Sequence, residues 1–320
     1  MTIASVKEFM EVSDLGLLNQ MLAPASMRAG WNKAEPSLWP EPRTAFKVAH
    51  WEWERVRAAL DAAGRLIDTE QAERRNLFMV NPHEGNFYAT VRTLVSAYQM
   101  ILPGERARSH RHTPNALRLT LDVGDNCYTV VDGVRIDMKP GDVLLTPGWA
   151  WHGHANEGAS PGYWVDYLDV PLVQLLEPMF LELWPEGFQT PTSASRNGPF
   201  VFPWSDTQAK LSAVRPDPDD RRRIELGSPA LPTMSLVMEA LSAGQSTGNL
   251  RDTVNRIITV VEGSGESVID GQTVKWARGD TMTVPSWKSH RHQASADAVL
   301  FEVSDRPAVE KLGFLRVERT

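Results

Sequence analysis

The sequence contains a single cysteine, Cys127. One thiol cannot close an intrachain disulfide or build a cysteine-rich zinc module, so neither kind of staple holds this chain together. That usage fits a reducing compartment, and a cytoplasmic protein is expected. An excess of positive charge is also lacking. The formal net charge is -7, which leaves no general basic footprint and argues against nucleic acid as a partner. No uncharged apolar run reaches membrane-spanning length, and the opening MTIASVKEFMEVSD has no basic segment followed by a long apolar stretch. Neither a targeting segment nor a membrane partner is expected. What remains is a globular mixture, 42% apolar and 23% charged over 320 residues, long enough for two domains of ordinary size.

The chain contains itself twice. Arg118, Asp132-Gly133, Gly141-Asp142, Pro147, Trp149, His152 and His154 recur as Arg256, Asp270-Gly271, Gly279-Asp280, Pro285, Trp287, His290 and His292, every pair separated by the same number of residues with no gap. Farther on, Asp169-x-Pro171 matches Asp305-x-Pro307 after a two-residue change of offset. Each copy is rich in β-branched and apolar residues, as in ALRLTLDV and NRIITVVEG, with Asp-Gly where a tight hairpin needs positive φ. Short strands separated by turn signals at close intervals indicate an antiparallel sandwich or barrel. Histidines carried on such strands with Gly-Asp between them point to the jelly-roll barrel called a cupin, so the fold predicted is mainly β, a bicupin.

His110 and His112 stand at i and i+2, which on an extended strand projects both imidazoles from one face. His152 lies just after the next Gly-Asp strand, where a barrel can bring it beside them. Three neutral imidazoles leave coordination positions open, the pattern of a catalytic metal and not of a closed structural site. Carrying the repeat offset back to His110 and His112 lands on Gly248 and Leu250, neither of which binds metal. His290 and His292 alone are too few, so the second barrel is expected to lack a metal site and to serve packing and subunit contacts. Because Arg118, His154 and Trp149 have counterparts in that copy, part of their role is expected to be architectural.

The rest is connective. AHWEWERVRAALDAAGRLI and DTEQAERR have helical spacing, with Asp68 as an N-cap. The expected domains are a helical N-terminal arm at residues 1–90, a catalytic barrel at 91–170, a helix-containing linker at 171–225, and the second barrel at 226–320. Within the linker, VPLVQLLEPMFLELW reads as an apolar helix broken near Pro178, and the charged run DPDDRRRIE reads as solvated chain.

At HRHTPNALR, PGDVLLTPGWAWHGH and WVDYLD the sequence resembles the gentisate 1,2-dioxygenase family, which includes salicylate and 1-hydroxy-2-naphthoate dioxygenases. The resemblance spans roughly residues 70 to 320. It implies a bicupin, commonly a homotetramer, that binds Fe(II) through three histidines and uses O₂ to split an aromatic ring between a carboxyl-bearing carbon and its hydroxyl-bearing neighbour. On that likeness His110, His112 and His152 match the iron ligands. Gln99, Arg118, His154 and Asp166 match positions around the bound substrate, and either Arg74 or Arg75 matches a further substrate-binding arginine. His154 and Asp166 are candidates to manage the phenolic or bound-oxygen proton, and Arg118 to pair with the substrate carboxylate or phenolate. Val95 stands where some relatives carry a bulky aromatic, so the pocket wall is expected to differ. Trp149, Trp151 and Trp164 are expected to pack the wall. Gentisate is the expected substrate, with salicylate, a 5-substituted salicylate or 1-hydroxy-2-naphthoate as alternatives. A metal-binding cupin isomerase or a small-carboxylate binding protein is the alternative of another class.

Overall fold

The computed structural model describes all residues except 1, 32–35, 73, 218–220, 228–230 and 320. The middle of the charged run, 218–220, therefore lies outside the described residues. The chain divides into two compact units, Met1–Arg43 and Thr44–Thr320. In the first, the helix Val6–Glu11 begins at a reciprocal capping box between Ser5 and Glu8, and Leu15–Leu22 is capped by the Asp14 carboxylate.

The larger unit holds both barrels. In the first barrel, one sheet runs Val201–Phe202, Val143–Thr146, Ala116–Asp122, Gly162–Leu168, Val95–Ile101 and Arg75–Phe78 in spatial order. Its partner sheet runs Leu181–Leu183, Arg106–His112, His152–Asn156, Cys127–Val131, Val134–Asp137 and Ser193–Ala194. The second barrel repeats the plan, with His50–Trp51, Thr281–Val284, Arg256–Glu262, Ala298–Ser304, Ser235–Leu241 and Arg222–Glu225 forming one of its sheets. Val95–Ile101 and Gly162–Leu168 read as nearly unbroken apolar runs because each lies between two other strands and is covered on both faces.

The two barrels share a core. Tyr98 of the first reaches the Gly279 carbonyl and Thr281 Oγ1 of the second, both at 2.8 Å, and Tyr167 meets Phe301 edge-on at 5.6 Å between centroids. They also exchange arms. The Trp204 N–H that opens the helix Trp204–Ala213 donates to Asp142 at 2.9 Å, and the indole covers Gly141. The Trp53 N–H that opens Trp53–Leu66 donates to Asp280 at 2.8 Å and its indole covers Gly279. The segment ahead of the first barrel thus closes the second, and the segment ahead of the second closes the first. Within residues 171–225, Leu181–Leu183, Ser193–Ala194 and Val201–Phe202 join the first barrel and Arg222–Glu225 joins the second, and the helix of that region near Pro178 ends earlier, at Leu175.

The repeat is real, but its register is not uniform. Leu250 lies opposite His290 as His110 lies opposite His152. The Asp252 carbonyl accepts the Trp287 N–H where the His112 carbonyl accepts that of Trp149. The structural counterparts of His110 and His112 are therefore Leu250 and Asp252, which corrects the expected Gly248 and Leu250. Arg256, opposite Val284 and Ser304, occupies the place of Ala116, opposite Thr146 and Leu168. The place of Arg118 falls to Ile258, so the gapless match of Arg118 with Arg256 is also corrected. The cause is a shorter hairpin: four residues separate Asp122 from Cys127, and two separate Glu262 from Gly265. Both copies happen to carry an arginine near the start of the strand, which hid the shift.

Gly279 has φ +88°, and a Cβ there would lie 2.5 Å from Trp53 Cγ, whereas Gly271 has φ +80° and open space around it. Gly271→Ala should cost about 1 kcal/mol from backbone strain alone. Gly279→Ala should cost about 3 kcal/mol, because the indole must also move. Urea midpoints compare the two variants, and equal losses would contradict the docking of Trp53 on the second barrel.

Candidate active site

His110 and His112 end the strand Arg106–His112, and His152 opens the adjacent strand, directly opposite His110. Irregular pairing between Ala107 and His110 marks a bulge, the usual device for re-aiming side chains at a barrel rim. The rings converge, with centroids 4.5 Å apart for His110 and His152 and 4.9 Å for His112 and His152. One donor atom from each lies within 4.8 Å of the others, and among the described residues this is the metal-competent group found.

Tautomers follow from the neighbours. Nδ1 of His110 faces the Arg108 carbonyl at 3.1 Å, Nδ1 of His112 the Pro114 carbonyl at 2.8 Å, and Nδ1 of His152 the Ala150 carbonyl at 3.0 Å. A carbonyl only accepts, so each Nδ1 carries the proton and each Nε2 keeps a lone pair for a metal. Burial, reinforced by Arg74 and by His112, pushes His110 down to about 3, and burial lowers His112 and His152 as well. The three rings are neutral near pH 7, the form a metal requires.

A cavity of about 360 Å³ opens beside the triad, with Arg74, Gln99, His112, Arg118, His152 and Asp166 at its polar end. These groups form a chain of hydrogen bonds. Arg74 Nε donates to Gln99 Oε1 at 2.7 Å, and Gln99 Nε2 donates to Asp166 Oδ2 at 2.6 Å, which fixes the amide orientation. Asp166 Oδ1 lies 3.4 Å from Arg118 Nε, and Arg118 Nη1 donates to His154 Nδ1 at 2.6 Å. A guanidinium has no acceptor, so His154 Nδ1 is unprotonated and its proton sits on Nε2. That Nε2 is buried and makes no hydrogen bond, and neither does Asp166 Oδ1, whose one contact here is the ion pair with Arg118 Nε. Unpartnered polar atoms cost on the order of 1–3 kcal/mol each, and a site that retains them here is built for groups the chain does not supply.

Burial, then Arg118 and Arg74, hold His154 well below the ordinary imidazole range. For the proton role suggested by the family resemblance this leaves His154 as a neutral N–H donor and not as a group that titrates near pH 7. Burial raises Asp166 against the opposing pull of Arg118 and Arg74. Alternation along the chain separates the two arginines. Arg74 lines the cavity, while Arg75 turns away to Glu105 and to the Ile67 carbonyl. Trp164 is wholly buried beneath Arg118 and against His154, whereas Trp149 and Trp151 flank Arg111.

The apolar end is made by Phe78, Phe87, Val95, Ala97, Leu168 and Val170. Val95 belongs to that wall, where the family resemblance placed it. At the rim Tyr88 Oη donates to Gln174 Oε1. Neither residue carries a motif. The one local signal is the bracing of the loop that carries Tyr88, in which Asn81 and Asn86 side chains tie down Lys47, Ala89 and Thr90.

The family description Cupin domain matches residues 97–170 and 237–304. The chain is 35% identical to gentisate 1,2 dioxygenase 1 of Aquipseudomonas alcaligenes, covering 90% of this chain and 92% of that one. It is 34% identical to the 5-aminosalicylate 1,2-dioxygenase of a Comamonas species, covering 95% and 90%. A variant of the salicylate 1,2-dioxygenase from Pseudoaminobacter salicylatoxidans, solved in complex with gentisate, superposes with a TM-score of 0.87 at 27% identity, covering 100% and 98%. Two jelly-roll barrels with one histidine triad among the described residues define a bicupin with a candidate metal centre. Within that class the chain belongs to the gentisate and salicylate 1,2-dioxygenase family of ring-cleaving enzymes. No helix among the described residues is long and apolar enough to cross a membrane.

An unfolded imidazole takes up a proton near 6.5, and folded His110 does so only near 3. Between those values the folded metal-free chain binds fewer protons than the unfolded one, so acidification through the window removes stability. Urea midpoints of metal-free protein should fall between about pH 7 and about pH 5. His110→Gln should show a smaller fall, and an identical fall would contradict a neutral buried His110.

Proposed function

We propose that the chain is an Fe(II)-dependent, extradiol-type dioxygenase that uses O₂ to open a hydroxybenzoate ring between the carboxyl-bearing and adjacent hydroxyl-bearing carbons, with gentisate as its substrate. The observation that carries this reading is the junction of three Nε2 lone pairs with a cavity whose polar end holds Arg74 and Arg118. His110, His112 and His152 would hold the metal, a neutral nitrogen set with room for further ligands. When bound, Fe(II) supplies the electron transfer that couples an electron-rich ring to O₂.

The remaining chemistry belongs to the chain. Arg74 and Arg118 offer guanidinium edges to the planar anionic end of the substrate. His154 Nε2–H donates to a phenolic oxygen or to an oxygen of the opening ring. Gln99 and Asp166 hold the two arginines in place, and Asp166 Oδ1 is the acceptor for a proton released at the ring hydroxyl. Phe78, Val95 and Leu168 pack the ring face and exclude water. Salicylate, 5-substituted salicylates and 1-hydroxy-2-naphthoate present the same carboxyl and hydroxyl pair and differ only toward this apolar wall. The catalytic work falls to the barrel at 91–170, and the barrel at 226–320 supports it. A cytoplasmic homotetramer is the assembly the family likeness suggests.

Aerobic oxygen uptake with added Fe(II) across gentisate and a salicylate panel tests the reading. Gentisate should give the highest kcat/KM, and no uptake with any hydroxybenzoate would overturn it. His110→Ala and His152→Ala should lose bound iron and turnover together, whereas His290→Ala should keep its iron. Asp166→Asn should retain iron and lose at least about tenfold in kcat; an unaltered rate would remove Asp166 from the mechanism.

A further inference from the structure

The catalytic cavity changes character along its length, in the same direction on three neighbouring stretches of chain. Side chains facing it pass from Arg74 to Phe78 on one, from Gln99 to Val95 on the next and from Asp166 to Leu168 on the third. Beyond this hydrocarbon, at the rim, polar groups return. Gln174 stands one helical turn after Val170 on the helix Val170–Leu175, so both side chains face the cavity. Tyr88 meets it there, its Oη donating to Gln174 Oε1 and so joining segments 86 residues apart. The loop that carries Tyr88 is held in place. The Asn86 side-chain amide donates to the Asn81 and Ala89 carbonyls at 2.9 and 2.8 Å, and Thr90 Oγ1 donates to the Met79 carbonyl at 2.7 Å.

The proton count of this bridge leaves it open to a third group. Tyr88 gives its single hydroxyl hydrogen to Gln174 Oε1, so the phenolic oxygen keeps lone pairs. Gln174 Nε2 keeps two N–H groups with no partner among the described residues. A hydroxyl brought to the rim can donate to the Tyr88 oxygen and accept from the Gln174 amide. A hydrogen or an alkyl group in the same place can do neither.

We infer that Tyr88 and Gln174 are specificity-determining residues that read the ring substituent remote from the carboxyl and hydroxyl pair, favouring a hydroxyl there over hydrogen or an alkyl group. The inference rests on the proposed reading of the site, in which the carboxyl and its neighbouring hydroxyl lie at the metal and the arginines. The far edge of the ring then points along the apolar wall to the rim. Tyr88 is half-buried and Gln174 is exposed. A hydrogen bond made at a rim open to water discriminates by a factor of about three to ten, not by the orders of magnitude of a dry pocket.

Anaerobic titration calorimetry of the Fe(II)-loaded full chain with three ligands is the test. Gentisate carries the remote hydroxyl, salicylate lacks it, and 5-methylsalicylate fills the same space without hydrogen bonding. Tyr88→Phe and Gln174→Leu should each lower the affinity for gentisate relative to 5-methylsalicylate, and relative to salicylate, by about three- to tenfold. Ratios unchanged in either variant, or equal losses for all three ligands, overturn the inference and leave the reading of the site standing. Binding of none of the three by the parent chain overturns that reading, and this inference with it.

Discussion

Three imidazoles can be buried side by side only if each proton has somewhere to go. In this barrel every Nδ1–H is given to a backbone carbonyl close in sequence, those of Arg108, Pro114 and Ala150. A net hydrogen bond of this kind is worth about 1 kcal/mol, but leaving the donor unmatched would cost more. Satisfying Nδ1 locally fixes each ring's orientation and leaves three lone pairs pointing at one place. The rest of the site is arranged around that constraint. The irregular pairing before His110 turns the strand, His152 faces His110 across it, and burial keeps the rings neutral.

The same logic runs through the polar end of the cavity. Arg74, Gln99, Asp166, Arg118 and His154 each orient the next, so that donors and acceptors alternate from the rim to the floor. The chain ends on His154 Nε2–H, which makes no hydrogen bond, and Asp166 Oδ1 has only the 3.4 Å ion-pair contact with Arg118 Nε. Pre-set dipoles in a dry cavity act on a reacting ligand with little reorganisation, which is where such sites gain most of their rate. The second barrel shows the contrasting solution. There Arg256 is gripped by Asp252, and Ser267 links His292 to Trp276.

Much of this was legible in the amino-acid order because it is written in strand periodicity. The i, i+2 spacing of His110 and His112 states that two rings share a face, and the Gly-Asp and Asp-Gly turns recur where the hairpins are. What was not legible depends on pairing between distant strands. The two-residue difference between the hairpins after Asp122 and Glu262 leaves every short motif intact, so Arg256 could be matched to Arg118 when it sits in the place of Ala116. The crossing of arms at Trp53 and Trp204 leaves no local trace either, since each tryptophan serves a barrel remote from it or already passed. Arg74 and Arg75 are adjacent and chemically alike, and only the direction of the strand separates the one in the cavity from the one held by Glu105.

The central claim is that a single metal ion is gripped by His110, His112 and His152 through Nε2, with positions left over for a chelating aromatic acid. X-ray absorption of the anaerobic, iron-loaded chain measures this directly, because imidazole gives a distinctive multiple-scattering pattern. Three imidazoles per iron, unchanged in number when gentisate is added while the non-imidazole oxygen shell is replaced, is the predicted result. Fewer than three imidazoles, or an iron environment indifferent to gentisate, would contradict it.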